Sequence, residues 1–295
     1  MTFLKRSILV LLLLFPVISH AELQIVATLP ALGQIAETVA GEDGEVKVLA
    51  RVGQDPHFVP PKPTLARHLA RADLLFSAGL ALESGWLPSL IEVARNQTIR
   101  PGASGYFEGA SVIDVLGAKA GVDRSMGDVH PEGNPHWWLD PIRGSQVAIA
   151  LADRLATIDP ANGDNYRQRA AAFASRLHEM TAAWKSRFSN ASPVVSYHES
   201  YRYFSERFAI PVIGFIEPKP GVEASPAHLD SLVSRVKAEG VRQLWVEPYH
   251  VGRVAKRIAQ LSGAPLIPMP DANEGHGSEG YIQLIDMLLQ KASGD

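Results

Sequence analysis

Four segments of this 295-residue chain carry histidine or aspartate in settings suited to binding a metal ion. Each lies at the predicted carboxyl end of a strand or in a loop that prolines keep extended, and ligands of open α/β sheets bind at such ends. The segments are 55–58 (DPHF), 134–141 (NPHWWLDP), 196–199 (SYHE) and 269–273 (MPDAN). Three imidazoles and one of the carboxylates from these segments would form a tetrahedral set suited to Zn²⁺.

The absence of cysteine narrows the metal chemistry. It excludes a thiolate metal site, a disulfide scaffold and a cysteine nucleophile. Among metals bound by imidazole and carboxylate, Mn²⁺ and Fe²⁺ usually take more oxygen ligands, so the donor types favour Zn²⁺. The spacing of the four segments gives weaker support for a metal site, because they lie far apart in the sequence and no short motif such as H-x-x-x-H occurs. The repeated Pro-His context strengthens the case.

Residues 1–21 have the features of a secretory signal peptide. Lys5 and Arg6 form a positive start, an apolar run covers 8–18, and Ser19 and Ala21 stand at the −3 and −1 positions of a cleavage site. A bacterial lipoprotein needs cysteine at that point, so we expect a periplasmic protein without a lipid anchor. Cleavage removes two basic residues and no acidic one, which changes the formal net charge from −3 to −5.

Composition and pattern predict the domain organisation. The chain is 46% hydrophobic, enough for a core, and its 28 basic and 31 acidic residues give no basic excess for nucleic acid. Strands alternate with helices on both sides of 165–188, a stretch without glycine or proline that predicts a helix about 36 Å long. We therefore predict an α/β protein of two Rossmann-like lobes with mostly parallel sheets, joined by one long helix. The predicted units are the signal peptide 1–21, an N-terminal lobe 22–163, the linking helix 164–189 and a C-terminal lobe 190–295.

The same segments resemble a known family. DPHFVPPKP, NPHWWLDP, SYHESYRYF and the late Asp271 are similar to the metal-binding cluster of ABC-transporter solute-binding proteins, above all its zinc-uptake members. The resemblance covers essentially the whole mature chain, including ADLLFSAGLALESGWL in the first lobe and EASPAHLDSLVSRVKAEGVRQLWVEP in the second.

The resemblance implies a C-shaped clamp of two lobes on a rigid helix, with limited hinge motion. It also implies four metal ligands, which by motif are His57, His136, His198 and Asp271. Manganese-type members often have a carboxylate at the third position, where this chain has His198, so Zn²⁺ is expected as cargo ahead of Mn²⁺ or Fe²⁺. The expected partner is an ABC permease in the inner membrane, with a metallochaperone as a further candidate. We expect a monomer that binds no nucleic acid and is not an enzyme.

Three alternatives stay open at this stage. The chain could be a manganese- or iron-binding member of the same family, or a periplasmic zinc chaperone or buffer. A zinc hydrolase would need an open coordination position and a general base, for which Glu199 is the candidate. Glu247 competes with Asp271 for the fourth ligand position.

Other residues near these motifs have weaker predictions. His130 and Asp128 form either a metal-recruiting site at the mouth of the cleft or part of a solvated loop. His276 could gate the pocket. Asp140 could accept the ring N–H of a ligand histidine or cap a helix that begins near Pro141. Packing roles are expected for the two tryptophans that follow His136.

Overall fold

The structure, a computed structural model, describes residues 22–118, 130–186, 191–219 and 221–294. The predicted signal peptide and Asp128 lie outside the described residues. Within these ranges, no helix combines the length and the apolar character needed to cross a membrane.

The N-terminal half forms a parallel four-stranded sheet flanked by helices. Its strands are β1 (Leu23–Ala27), β2 (Gly44–Val48), β3 (Leu74–Ser77) and β4 (Tyr106–Glu108). Its helices are α1 (Pro30–Ala40), α2 (Pro63–Leu69) and α3 (Leu87–Ala94). The spatial order is β2-β1-β3-β4, and all residues of β3 are buried, as in strands covered on both faces.

Two helices connect the halves. They are α4 (Pro141–Ile158) and the 24-residue α5 (Gly163–Ser186), which pack against each other. The α5 helix corresponds to the long helix predicted from the glycine- and proline-free stretch. Pro141 occupies the first turn of α4, and Asp140 caps it by accepting a hydrogen bond from the backbone N–H of Ile142 at 2.9 Å.

The C-terminal half repeats the first sheet's topology. Its strands are β5 (Val194–Ser196), β6 (Val212–Phe215), β7 (Gln243–Val246) and β8 (Leu266–Pro268). Its helices are α6 (Arg202–Arg207), α7 (Pro226–Ala238) and α8 (Arg253–Ser262). The order is β6-β5-β7-β8 with all pairs parallel, so both lobes have the predicted α/β architecture.

The last helix, α9 (Gly277–Ser293), returns to the N-terminal half and packs on α1 and α5. The main hydrophobic core is therefore continuous between the halves and contains Trp138, Trp245 and Tyr281. Gly144 on α4 makes this approach feasible, because a Cβ there would overlap the Tyr281 hydroxyl, which donates to the backbone oxygen of Trp138 at 2.7 Å. The predicted boundaries assign α9 to the C-terminal lobe. The apolar face of α9 indicates that the helix packs against other elements, but it does not indicate which ones.

Parallel topology determines where the loops meet. In each sheet the chain moves outward from the first strand on one side and then returns to the other side, which creates a crevice at the strand carboxyl ends. His198 follows β5 and Glu247 follows β7 on one lobe, while His57 lies in the loop after β2 on the other. The two crevices face a common cleft, where the candidate ligands lie.

Candidate metal centre

His57 is held by a local turn in the sequence Asp55-Pro56-His57. One oxygen of Asp55, Oδ1, accepts a hydrogen bond from the His57 backbone N–H at 2.9 Å and from its ring Nδ1 at 2.8 Å. Trp86 fixes the same turn by donating its indole N–H to the backbone oxygen of Pro56 at 3.0 Å. Because the carboxylate only accepts, the ring proton lies on Nδ1 and Nε2 presents a lone pair.

His136 repeats this arrangement in Asn134-Pro135-His136. The side-chain oxygen of Asn134 accepts from the His136 backbone N–H at 3.0 Å and from ring Nδ1 at 3.2 Å. The amide nitrogen of Asn134 donates to the backbone oxygen of Glu199 at 2.8 Å, and Tyr203 donates to the backbone oxygen of Asn134 at 2.7 Å. These contacts tie the His136 turn to the C-terminal lobe.

His198 lies directly after β5, and its ring Nδ1 donates to Glu217, which follows β6, at 3.0 Å. All three rings thus have an oxygen acceptor at Nδ1 and leave Nε2 available. Such acceptors fix the tautomer and orientation of metal-binding histidines.

The three imidazoles converge. One nitrogen from each of His57, His136 and His198 lies within 4.8 Å of the other two, and their ring centroids are 5.3–5.4 Å apart. His136 and His198 are buried, and Nε2 of His136 has no hydrogen-bond partner among the described residues. A buried nitrogen lone pair without a partner is costly unless something binds it. The cluster fits a divalent cation.

The protonation states suit cation binding. Burial, reinforced by the neighbouring histidines, lowers the pKa of His136 well below its usual value, so this ring is neutral. Burial also opposes the charged form of His198. The hydrogen bond to Glu217 and the charge of Glu247 outweigh that effect and raise the pKa of His198.

Two buried carboxylates lie on the C-terminal side of the cleft. Asp271 is 7% exposed and accepts a hydrogen bond from the Tyr249 hydroxyl at 3.0 Å. Among the described residues, the three mutually close nitrogens form a group that does not include Asp271. Burial, with the nearby charge of Glu247, raises the pKa of Asp271 to about 7. Glu247 is fully buried and lies 3.3 Å from Nδ1 of His250, and within the described part of the chain one of its oxygens has no hydrogen-bond partner.

Asp140 has a structural role. Besides capping α4, its carboxylate binds Arg143 at 2.6 Å and Arg207 at 2.7 and 2.8 Å. The two tryptophans after His136 are fully buried, as expected for packing residues. Trp137 donates to the backbone oxygen of Ala78 at 2.9 Å, and Trp138 to that of Asp271 at 3.1 Å.

Five of the other described histidines also have partners. His276 is exposed and lies 3.2 Å from Glu37 of α1. His250 stacks on Tyr197, with ring centroids 4.5 Å apart. His178 contacts the Ser145 hydroxyl and His228 the backbone oxygen of Phe215. His130 differs from these four histidines because it lies beside the three-imidazole cluster, with its ring centroid 5.4 Å from that of His57.

The roles of Asp55, Asn134 and Glu217 in orienting the three converging histidines were not predicted from the sequence. A local signal exists for the first two, because Asp or Asn stands two residues before histidine in both D-P-H and N-P-H. That spacing lets one oxygen bind both the backbone and the ring. No local signal marks Glu217, which meets His198 only because β5 and β6 are neighbours.

Comparison with known proteins identifies the family. The family model for ZnuA, the periplasmic zinc-uptake complex component A, matches residues 25–292. The chain belongs to this family. It is therefore a metal-binding substrate-binding protein of the ABC-transporter type, as the resemblance of its motifs indicates.

The chain is similar to curated relatives along most of their length. The manganese ABC transporter substrate-binding lipoprotein PsaA of Streptococcus pneumoniae is 26% identical over 284 residues, covering 92% of this chain and 88% of that protein. The metal ABC transporter substrate-binding lipoprotein FimA of Streptococcus parasanguinis is 27% identical, covering 92% and 89%. Their description as lipoproteins conflicts with the prediction of an export form without a lipid anchor.

Solved structures confirm the two-lobed fold. A crystal structure of ZnuA superposes with a TM-score of 0.77 at 23% identity, covering 93% of this chain and 99% of that one. FpvC of Pseudomonas aeruginosa in complex with Mn²⁺ gives 0.74 at 22% identity, covering 93% and 99%. Its Ni²⁺ complex gives 0.74 at 22%, covering 93% and 98%.

Proposed function

We propose that this protein captures Zn²⁺ in the cleft between its lobes and delivers it to an ABC permease in the inner membrane. The observation that carries the proposal is the convergence of three imidazoles whose Nδ1 positions are all occupied by oxygen acceptors. Three lone pairs are thereby directed to one place before any ion arrives. Such preorganisation favours binding.

The donor set supports Zn²⁺ over Mn²⁺ as the cargo. Imidazole suits Zn²⁺, Cu²⁺ and Ni²⁺, whereas Mn²⁺ prefers oxygen ligands. The relatives do not decide the metal, because PsaA is named for manganese and the family model for zinc. Zinc therefore rests on the residues of this chain, with manganese or iron as the alternative.

We propose His57, His136 and His198 as ligands and retain Asp271 as the predicted carboxylate of the site. To coordinate the ion, Asp271 would exchange its hydrogen bond from Tyr249 for the metal. A nearby dication favours the ionised form of this carboxyl, whose pKa is about 7 without metal. Glu247, fully buried and with one unpaired oxygen, is the rival.

No observation favours a hydrolase. Glu199, the base that a zinc hydrolase would use, forms an ion pair with Arg202 at 3.2 Å. The three ligands come from both halves of the chain. Binding an ion between them would join the lobes, and release would require the permease to move at least one ligand loop.

Competition titration of the purified metal-free protein tests the proposal. We expect one Zn²⁺ per chain, bound more tightly than Mn²⁺ and able to displace it. Asp271→Asn should weaken Zn²⁺ binding if the carboxylate contributes. Tighter binding of Mn²⁺, or no stoichiometric binding of Zn²⁺, would overturn the assignment of zinc as cargo.

The affinity for Zn²⁺ should fall as the pH decreases, because protons compete for the ligands. Burial keeps His136 neutral, whereas the raised pKa of His198 favours proton uptake on that ring. We expect a decrease of about tenfold per pH unit below the pKa of His198 if one proton is displaced. A steeper decrease that begins near pH 7 would show that Asp271 also loses a proton on binding.

Glu217→Gln provides the matched test of this pH dependence. It keeps an oxygen acceptor for His198 and removes the charge that raises its pKa, so the decrease in affinity should shift to lower pH. Glu239→Gln, which alters a surface ion pair with Arg235, is the control and should behave like the wild type. An unchanged pH profile in Glu217→Gln would contradict the prediction.

A further inference from the structure

His130 lies beside the three-imidazole cluster. Its ring Nδ1 is 2.8 Å from the backbone oxygen of Leu80, and its Nε2 is 3.3 Å from Nε2 of His57. A backbone carbonyl only accepts, so the His130 ring proton lies on Nδ1 and its Nε2 presents a lone pair. His130 therefore has the same arrangement as the three candidate ligands: an oxygen at Nδ1 and a lone pair at Nε2.

The contact between His57 and His130 places two lone pairs face to face. Asp55 accepts a hydrogen bond from Nδ1 of His57 and the Leu80 carbonyl accepts one from Nδ1 of His130, so with a single proton on each ring no hydrogen bond joins the two Nε2 atoms. A cation beside both nitrogens removes this repulsion. Zinc–nitrogen bonds of about 2.0–2.1 Å in a tetrahedron place neighbouring nitrogens about 3.3–3.4 Å apart. The observed 3.3 Å matches that edge.

The backbone that positions His130 is unusual. Three consecutive residues after β3, Gly79, Leu80 and Ala81, have positive φ angles of 88°, 54° and 60°. Residues other than glycine rarely adopt this conformation, and it persists only where surrounding contacts impose it. Here the buried carboxylate of Glu83 provides such contacts. It accepts hydrogen bonds from the backbone N–H groups of Ala78 at 2.7 Å and Gly79 at 3.3 Å. The turn directs the Leu80 carbonyl at His130.

We propose that His130 is a direct ligand of the captured ion, which is then held by four imidazole nitrogens. This inference rests on the proposed metal site and assigns to His130 the position that the sequence analysis gave to Asp271. Asp271 keeps its hydrogen bond from Tyr249 and offsets the charge of the ion from nearby. His130 approaches the cluster through His57, on its less buried side. Like Asp271, it is not in the group of three mutually close nitrogens, so its ring would turn further toward the ion on binding.

A four-imidazole set narrows the class of cargo. It is uncharged and contains only nitrogen donors, so it favours Zn²⁺, Ni²⁺, Cu²⁺ and Co²⁺ and disfavours Mn²⁺. Loss of His130 should therefore reduce both the affinity for Zn²⁺ and the preference for Zn²⁺ over Mn²⁺.

The informative variant is His130→Asn, because its amide can still donate to Leu80 while the Nε2 lone pair is removed. We expect the affinity for Zn²⁺ to fall by at least about 10–100-fold, the range found when a metal ligand's supporting partner is lost. With Co²⁺ as the probe, the visible absorption spectrum should change, which reports a change in coordination. Thermal unfolding without metal checks that the variant folds, and His276→Ala is the control histidine at an exposed position.

Two further variants separate this inference from the proposed function. If His198→Ala loses Zn²⁺ binding while His130→Asn keeps wild-type affinity and the wild-type Co²⁺ spectrum, His130 is not a ligand and only the present inference fails. If Asp271→Asn alone changes the spectrum, the carboxylate is the fourth ligand instead. If neither His198→Ala nor His130→Asn affects binding, the proposed site itself is wrong.

Discussion

Replacing His136 with leucine is expected to reduce the affinity for Zn²⁺ by more than about 100-fold, since even an outer partner of a metal ligand contributes about 10–100-fold. His136 is the most deeply buried of the three converging imidazoles, and no described residue forms a hydrogen bond with its Nε2. Leucine fills a similar volume but offers no lone pair.

The same variant separates metal binding from folding. Without metal, the free energy of unfolding should change by less than about 1.5 kcal/mol, as for volume-conserving core substitutions. Leucine loses the hydrogen bond to Asn134 but also removes a buried nitrogen without a partner, and these effects oppose each other.

Thermal or urea unfolding with and without Zn²⁺ measures both quantities. At a free Zn²⁺ concentration about 1,000 times the wild-type Kd, the wild type should gain about 4 kcal/mol. His136→Leu should gain almost nothing, and the control His178→Ala, whose ring contacts Ser145 on α4, should gain as much as the wild type. A normal zinc-dependent gain in His136→Leu would contradict the assignment of His136 as a ligand.

The second large effect is expected at Asp140, and it concerns stability. Asp140→Ala should lower the free energy of unfolding of the metal-free protein by about 3–5 kcal/mol, the range for removing one partner of a buried ion pair. The carboxylate is fully buried and is bound by Arg143 of α4 and Arg207 of α6. Its removal leaves the Arg143 guanidinium, 8% exposed, without its closest carboxylate and also removes the α4 cap.

Urea unfolding of Asp140→Ala and Asp153→Ala provides a matched comparison. Asp153 forms an ion pair with Arg167 at 2.8 Å, but both side chains are more than half exposed, so its loss should cost less than about 1 kcal/mol. Equal effects of the two substitutions would show that the Asp140 network does not hold the lobes together as the contacts indicate.

Most of the fold could be predicted from local pattern. Seven of the eight described strands coincide with predicted ones, and α5 spans Gly163–Ser186 where the prediction was 165–188. The strand β4 was missed because Tyr106–Glu108 is a three-residue edge strand, too short for a hydrophobic period to be visible. The position of α9 on α1 was also missed, since an apolar helix face does not specify its partner.

The site was predicted in part. Residue types and strand-end positions singled out the segments that contain His57, His136 and His198, because parallel strands bring their carboxyl ends to one crevice, and the resemblance to the family named these three as ligands. The structure brings the three rings together. The sequence did not predict where the lone pairs of these rings point. Which nitrogen of each ring faces the cluster depends on Asp55, Asn134 and Glu217, and the last of these meets His198 only across the β5–β6 pair.

By itself, the sequence determined the α/β class, the donor types and the absence of thiolate, because these follow from local pattern and composition. Only the tertiary structure decided which side chains share the cleft: it placed His130 against His57 and bound Asp271 to Tyr249. The physical reason is that a coordination set depends on distances of a few ångströms between residues up to 214 positions apart in the chain, from His57 to Asp271. Packing between the two lobes sets those distances.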